Sequence, residues 1–261
     1  MKVSPLRPSA AGAFAPMSEP LLSARGLTKH FGGLKAVDDV SFDVHPGEIL
    51  GIAGPNGSGK STLFNIITKV PFGPTAGEVA LDGRSLGGLG AHAIALSGVA
   101  RTFQRENVFA SLSAVDNVLV AVEAHAPKLQ FDQQVARAGQ ILDLVGYPPT
   151  MHNMLAGGVP IFYRKQLMIA SALALKPRVI LMDEPASSLT GPEIDRMRDI
   201  VLAIRASGVT VVLIEHVLSL LMEVSDRLIV LDQGRVIASG APRVVIADAK
   251  VVEAYLGVAH G

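Results

Sequence analysis

Gly54-Pro-Asn-Gly-Ser-Gly-Lys60-Ser61 is the stretch that decides the fold, because it fits the phosphate-loop pattern G-x4-G-K-[ST] at every position. Residues 48–53, which are apolar after Glu48, precede it with the pattern of a strand, and residues 61–69 follow it with the pattern of a helix. Glycines let the backbone turn so that successive N–H groups face phosphate oxygens, and the helix start adds its positive end. The stretch therefore predicts an α/β core that binds a nucleotide.

Each residue type in this loop has a predicted task. Lys60 is long enough to reach the β- and γ-phosphates, and the Ser61 hydroxyl is suited to Mg²⁺. The predicted phosphate-binding set consists of Gly54, Pro55, Asn56, Gly57, Ser58, Gly59, Lys60, Ser61 and Thr62. A nucleotide with Mg²⁺ is the expected ligand.

Two adjacent carboxylates, Asp183 and Glu184, follow the apolar run 179–182. In open α/β sheets, ligands bind at the carboxyl ends of the strands, so this pair is expected beside the phosphate loop. Asp183 is predicted to face the metal ion, directly or through water. Glu184 is predicted to be the general base that takes a proton from the attacking water.

Alternating strand and helix patterns surround these motifs. Further strands are predicted at 21–24, 37–44, 179–182, 209–214 and 227–231, with helices at 192–206 and 217–224. This alternation predicts a mostly parallel sheet with right-handed crossovers. Residues 78–81, with the turn Asp82-Gly83, indicate a small antiparallel β subdomain.

Four segments make up the expected organisation. The N-terminal residues 1–20 are rich in Pro, Ala and Ser, which predicts a flexible tail, and Met17 is an alternative start. A nucleotide-binding core is expected over 21–104 and again, with a C-terminal segment, over 176–261. Between them, 105–175 has apolar residues at helical spacing, clearest at 112–122 and 133–144, which predicts an inserted helical subdomain.

Composition excludes several classes of protein. Lys+Arg and Asp+Glu both number 23, so the net charge is zero and a chain-wide basic field for nucleic acid is not expected. Cysteine is absent, which excludes disulfides and thiolate metal sites. Hydrophobic residues are 49% of the chain, yet no apolar run is long enough to span a membrane. The basic pair Arg164-Lys165 is interpreted as a solvated helix start.

In their order and context, these motifs resemble the ATP-binding cassette (ABC) ATPases over about residues 21–257. The resemblance implies ATP as the nucleotide and hydrolysis to ADP and phosphate as the reaction. It implies that Phe31 stacks on adenine, that Gln104 in Val99-Ala-Arg-Thr-Phe-Gln104 approaches the metal ion, and that His216 contacts the γ-phosphate. The implied catalytic set is Glu184, His216 and Gln104, and the implied metal ligands are Ser61, Gln104 and Asp183.

One stretch departs from the family pattern. The signature close to Leu-Ser-Gly-Gly-Gln, counted back without a gap from Ile169-Ala-Ser-Ala-Leu173, falls on Val159-Pro-Ile-Phe-Tyr163 and lacks both glycines. Leu155-Ala-Gly-Gly-Val159 looks closer but needs four extra residues, so the ungapped placement is favoured. The family's signature completes a site on a partner cassette. A heterodimer with a second cassette that has an intact signature is therefore predicted. Thr190 also stands where the family usually has Asp.

Within the family, three stretches resemble the ATPase subunits of branched-chain amino acid importers: residues 31–40, 99–104 and Glu253-Ala-Tyr-Leu-Gly257. This resemblance implies two permease subunits, a periplasmic solute-binding protein acting indirectly, and membrane contact only through the permeases. It implies a cytoplasmic position, peripheral on the inner face of the cell membrane. Amides, urea or aromatic acids are alternative cargoes. A cassette for lipopolysaccharide export or iron–sulphur assembly, or a regulatory pseudo-ATPase, is the alternative function.

Overall fold

The computed structural model describes residues 19–256, which form ten strands, nine α-helices and two short 3-10 helices. The strands are β1 (Leu22–Phe31), β2 (Leu34–Val44), β3 (Ile49–Ala53), β4 (Ala76–Leu81), β5 (Arg84–Ser85), β6 (Val99–Arg101), β7 (Val179–Asp183), β8 (Thr210–Ile214), β9 (Arg227–Asp232) and β10 (Arg235–Gly240). The helices are α1 (Lys60–Thr68), α2 (Ala91–Leu96), α3 (Ala114–His125), α4 (Phe131–Leu144), α5 (Ile161–Ala174), α6 (Gly191–Ala206), α7 (Leu218–Val224), α8 (Pro242–Ile246) and α9 (Ala249–Leu256).

A six-stranded sheet forms the centre, in the order β10-β9-β3-β8-β7-β6. Its strands are parallel except for β10, which pairs antiparallel with β9. Every residue of β3, β7 and β8 is buried, as expected for strands covered on both faces. The predicted parallel α/β core is confirmed.

A second, antiparallel sheet has the order β2-β1-β4-β5. It is larger than predicted, because β1 continues to Phe31 instead of ending at Ala24. Register shifts interrupt the pairing of β1 with β2 between Ala24 and Leu27, and Gly26 has φ +57° there. The bulge breaks the alternation that reveals a strand in a sequence. One face of this sheet shares a core with α1 and with β3.

Helices α3, α4 and α5 follow one another between β6 and β7, and they pack on each other. Both predicted helical stretches coincide with helices of the structure, α3 and α4, to within two residues at most ends. Ser113 begins α3 because its hydroxyl oxygen accepts the N–H of Asp116 at 3.2 Å. The division into segments at 104 and 175 stays a prediction.

Several elements were not predicted: α2, the three-residue strand β6, and β10 with α8 and α9 at the end of the chain. Most of the tail predicted at 1–20, including Met17, lies outside the described residues, as does Gly257 at the other end. Across residues 19–256, no helix is both long enough and apolar enough to cross a bilayer.

Candidate active site

A cavity of about 910 Å³ opens at the carboxyl ends of the central strands. The structure brings most of the predicted site residues to its wall: Phe31, Asn56, Gly57, Gly59, Lys60, Ser61, Thr62, Gln104, Glu184 and His216. Residues Gly54, Pro55, Ser58 and Asp183 lie outside this lining. Asp183 and Ser58 are each only 2% exposed. The Ser58 hydroxyl has no hydrogen-bond partner among the described residues.

The phosphate loop keeps its shape because two of its positions admit only glycine. Gly54 has φ +146°, and a Cβ there would lie 2.1 Å from the Leu231 carbonyl oxygen. Gly59 has φ +102°, and its Cβ would lie 2.3 Å from the Ala36 carbonyl oxygen. The loop therefore passes close to two other segments of backbone and leaves its inner side open to a ligand.

Lys60 lies folded into this loop. Its Nζ donates to the carbonyl oxygens of Gly54 at 2.8 Å and of Pro55 at 2.9 Å. Burial lowers the pKa of Lys60, and the nearby carboxylates of Glu184 and Asp183 oppose that change. The ammonium group is thus held at the centre of the loop, where a phosphate would meet it.

Asp183 ends β7 between a hydroxyl and a guanidinium group. Ser61 Oγ donates to its Oδ1 at 3.4 Å, and Arg101 Nη2 lies 2.8 Å from its Oδ2. Burial raises the pKa of Asp183, while the hydrogen bond and charge of Arg101 oppose the rise. The Asp183–Ser61 pair joins the end of β7 to the start of α1.

Arg101 is a site residue that sequence reasoning missed. It is on the short strand β6, and its Nη1 also donates to Asn65 Oδ1 at 2.7 Å. Its guanidinium carbon lies 4.9 Å from the centre of the Phe103 ring. The stretch 99–104 was singled out for its glutamine, and nothing in the pattern distinguished the arginine from a surface cation.

Glu184 is held by the other two predicted catalytic residues. Gln104 Nε2 donates to Glu184 Oε2 at 2.7 Å, and His216 Nε2 lies 2.6 Å from Glu184 Oε1. The carboxylate side chain is 7% exposed, whereas His216 is 41% exposed. Three residues from three loops, separated by up to about a hundred positions, therefore meet at one carboxylate on the cavity wall.

A buried carboxylate, Glu215, links the loop that follows β7 to the loop that follows β8. Its Oε1 accepts the N–H of Ala186 at 2.5 Å, and its Oε2 accepts the N–H of His216 at 3.1 Å. Burial raises the pKa of Glu215, and these backbone donors oppose the rise. The backbone of His216 is thereby fixed relative to the segment that follows Glu184.

Lys165 is buried, so its interpretation as a solvated residue is wrong. It is 0% exposed on the first turns of α5, and its Nζ donates to Ser187 Oγ at 3.0 Å. Its other neighbours are the Glu184 carbonyl oxygen at 3.4 Å and Glu106 Oε1 at 3.9 Å. Burial lowers the pKa of Lys165, and Glu106 opposes the change most. One cation thus connects α5 to the segment that follows Gln104 and to the segment that follows Glu184.

The stretch 159–163 forms the start of α5. The helix begins at Ile161, with Pro160 before it and no side chain capping it, and Phe162 is 3% exposed. In the alternative stretch 155–159, the Gly157 N–H donates to the Ala110 carbonyl at 2.9 Å and the Gly158 N–H to the Leu155 carbonyl at 3.0 Å. These glycine donors are already engaged within the chain.

The donor set fits a nucleotide with Mg²⁺. Mg²⁺ prefers oxygen ligands and usually takes one or two from the protein, with the rest from phosphate and water. The Ser61 hydroxyl and the Asp183 carboxylate are adjacent, and the Gln104 amide is on the same cavity wall. Between residues 19 and 256, no group of three or more His, Asp or Glu is placed to hold a metal ion by itself.

Sequence comparisons agree with this geometry. A family model described as ABC transporter matches residues 37–187, and one described as Branched-chain amino acid ATP-binding cassette transporter matches residues 235–261. The high-affinity branched-chain amino acid transport ATP-binding protein BraF of Pseudomonas aeruginosa is 37% identical over 257 residues, 93% of this chain and 100% of that protein. LivG of Escherichia coli K12, described in the same words, is 35% identical with the same coverage. The lipopolysaccharide export system ATP-binding protein LptB of that strain is 31% identical, covering 90% of this chain and 97% of LptB.

Solved structures give the same result. The ADP conformation of MJ1267, an ATP-binding cassette of an ABC transporter, superposes with a TM-score of 0.82 at 29% identity, covering 92% of this chain and all of that one. The dimeric structure of MJ0796, a bacterial ABC transporter cassette, gives a TM-score of 0.77 at 26% identity over 85% of this chain and 99% of that one.

Proposed function

Because the chain belongs to the ABC transporter family, whose ATP-binding subunits are ATPases coupled to transport, we propose that it hydrolyses ATP to power a solute importer. The observation that carries the proposal is the position of Glu184 beside the phosphate loop, held by Gln104 and His216. The proposed cargo is branched-chain amino acids or related small polar solutes. The names of BraF and LivG and the family match at residues 235–261 support this proposal.

The proposed binding roles follow from the charges and donors at the cavity. Backbone N–H groups of the phosphate loop and the Lys60 ammonium bind the phosphates of ATP. Ser61, Asp183 and Gln104 hold Mg²⁺, which when bound neutralises phosphate charge. Phe31 is 43% exposed at the cavity, and its ring centre lies 5.1 Å from that of Phe72 in an edge-to-face contact. It is proposed to offer a ring face to adenine.

The proposed chemical step is proton removal from water by Glu184. A carboxylate that is 7% exposed and keeps two hydrogen-bonding neighbours is fixed in direction, as a general base must be. Gln104 and His216 orient that carboxylate in the structure, and His216 is exposed enough to reach the γ-phosphate. Both residues are proposed to contact the reacting groups when ATP binds.

The proposed assembly consists of this chain, a second cassette, two permease subunits and, indirectly, a periplasmic solute-binding protein. The chain is placed at the cytoplasmic face of the membrane through the permeases. The second cassette supplies an intact signature to the site built on Lys60 and Glu184. Stretch 159–163, which has Phe162 buried and no glycine, supports an unequal pair of sites.

Lipopolysaccharide export is the second candidate, favoured by the 31% identity to LptB. The discriminating experiment reconstitutes the chain with its permease and second-cassette partners, in vesicles that enclose ATP and Mg²⁺. Uptake of labelled leucine that depends on both ATP and the binding protein is the expected result. If no small solute affects ATP hydrolysis and lipopolysaccharide stimulates it, the proposed function is export of lipopolysaccharide and not solute import.

A further inference from the structure

The last described helix, α9, ends beside the phosphate loop. The Tyr255 hydroxyl oxygen accepts the N–H of Gly54 at 2.8 Å, across 201 positions of sequence. Helix α9 is anchored by Val251, which is 2% exposed, and it packs against α8 and β10. Tyr255 belongs to the stretch 253–257 that resembles importer subunits, and none of the roles proposed above uses it.

Gly54 is held from both sides. Its N–H, the first after β3, donates to Tyr255, and its carbonyl oxygen accepts Lys60 Nζ at 2.8 Å. Its φ of +146° is a conformation that an L side chain rarely adopts. A glycine gives up more conformational freedom than any other residue when it is fixed, so a contact that holds it matters more here than elsewhere.

The phenol is suited to this task at neutral pH. Tyr255 is 39% exposed, but partial burial of its hydroxyl against the loop raises its pKa, and the Gly54 N–H opposes the rise. The hydroxyl therefore stays protonated, accepts the Gly54 N–H through its oxygen and keeps its own proton as a donor.

We propose that Tyr255 is a positioning residue of the phosphate loop, which makes α9 an element of the nucleotide site. Tyr255 fixes Gly54, and Gly54 in turn carries the carbonyl that holds Lys60. The loop is thereby preorganised, and nucleotide binding has less ordering to do. Because the effects are reciprocal, bound nucleotide also stabilises the docked position of α9.

This inference rests on the proposed nucleotide site, and a single-atom change tests it. Tyr255→Phe removes the hydroxyl and leaves the ring. We expect the ATP dissociation constant from calorimetry on the full chain, and the KM for ATP of the assembled transporter, to rise about two- to tenfold. The kcat should stay within about twofold, because Glu184, Gln104 and His216 are untouched. Amide hydrogen exchange should speed up at Gly54 and not in the rest of the core.

Tyr147→Phe is the matched control. Tyr147 is 1% exposed, and its hydroxyl has no hydrogen-bond partner among the described residues, so the same atom is removed without loss of a contact. This variant should bind ATP like the unmodified chain. Equal weakening in both variants overturns the inference, and so does unchanged ATP affinity or unchanged Gly54 exchange in Tyr255→Phe.

A measurement on the unmodified chain completes the test. ATP with Mg²⁺ should slow hydrogen exchange of α9 amides, and absence of that protection contradicts the coupling. If the unmodified chain does not bind ATP at all, the proposed function fails first. If it binds ATP and Tyr255→Phe binds equally well, only the role of Tyr255 fails.

Discussion

Lys60 shows how a single residue of the loop is prepared for its ligand. Its ammonium group already donates to two carbonyl oxygens, at 2.8 and 2.9 Å, and the residue is only 5% exposed. These contacts fix the position of the side chain. Neutral carbonyls are weaker partners than a phosphate, because the negative charge of the phosphate also attracts the ammonium group. We therefore expect phosphate oxygens to replace these carbonyls around Lys60 when ATP binds.

Lys60→Ala should weaken ATP binding at least about tenfold, because it removes a charge-assisted contact worth roughly 1.5–3 kcal/mol. Calorimetric titration of the isolated chain measures the change. Lys128→Ala, at an exposed lysine of the segment between α3 and α4, is the control and should bind ATP normally. Unchanged ATP affinity in Lys60→Ala would show that the phosphate loop does not bind ATP as proposed.

Arg101 has an equally local effect on Asp183, the carboxylate that is proposed to hold Mg²⁺. It lies 2.8 Å from Asp183, and it opposes the rise that burial causes in the pKa of Asp183. In Arg101→Gln, that pKa should rise further, so Asp183 becomes protonated at a higher pH and holds Mg²⁺ less well. The acid limb of the pH–rate profile should then move to higher pH, and more Mg²⁺ should be needed for half-maximal hydrolysis.

Arg101→Lys is the matched variant and should recover part of the shift, because it keeps the positive charge. Loss of a partner from a buried ion pair costs about 3–5 kcal/mol, so the unfolding free energy of each variant must be measured beside the rates. A pH–rate profile of Arg101→Gln that coincides with that of the unmodified chain would contradict the role given to Arg101.

At the scale of elements, the buried Lys165 connects α5 to neighbouring segments of the chain. This lysine contacts Ser187 and the Glu184 carbonyl, and Glu106 lies 3.9 Å away. Its lowered pKa means that the folded state releases the proton at a lower pH than the unfolded state does. Between the folded pKa and about 10.5, the unfolded chain binds the extra proton, so folding stability gains as pH rises through that window.

Lys165→Met should remove that gain. The unfolding free energy of the unmodified chain, minus that of Lys165→Met, is expected to increase as pH rises toward about 10.5, and to level off at lower pH. Urea unfolding of both proteins over a pH series gives the difference directly, and other titrating groups cancel. A difference that is the same at every pH would show that folding does not change the pKa of Lys165, and it would contradict the prediction.

The strands show which elements the sequence can predict and which it cannot. Strands β3, β7 and β8 are short apolar runs with β-branched residues that end at motifs, so their positions and the sites they carry follow from the pattern. The extent of β1 does not, because a bulge near Gly26 interrupts its alternation. Strand β6 has only three residues and is specified by pairing with β7, which a local pattern does not contain.

Local sequence patterns also do not predict contacts between side chains that are far apart in the sequence. Arg101 and Lys165 are residue types that are usually exposed, and only the assembled core shows that each is buried against a carboxylate. The contact between Tyr255 and Gly54 joins positions 201 apart. The residue types of the phosphate loop and acidic pair are demanded by their chemistry, whereas the residues that hold them are set by packing.

At the scale of the whole molecule, the two sites of a cassette pair are expected to be unequal. In the proposed pair, this chain contributes Lys60, Glu184 and His216 to one site and the stretch 159–163 to the other. That stretch has Pro160 before the helix and buries Phe162. Loss of preorganised N–H donors to the γ-phosphate costs about 2.7–4 kcal/mol of transition-state stabilisation, by analogy with loss of one oxyanion donor. A pair made of two copies of this chain should therefore turn over slowly.

The most direct test of the account is ATP turnover by the assembled transporter with one catalytic glutamate disabled at a time. Glu184→Gln should retain ATP binding and reduce turnover by about 10²–10⁴. The corresponding change in the second cassette should leave most of the turnover, and Glu223→Gln, at an exposed glutamate that pairs with Arg198, should leave all of it. Full turnover after loss of Glu184 alone would contradict both its role as the base and the asymmetry.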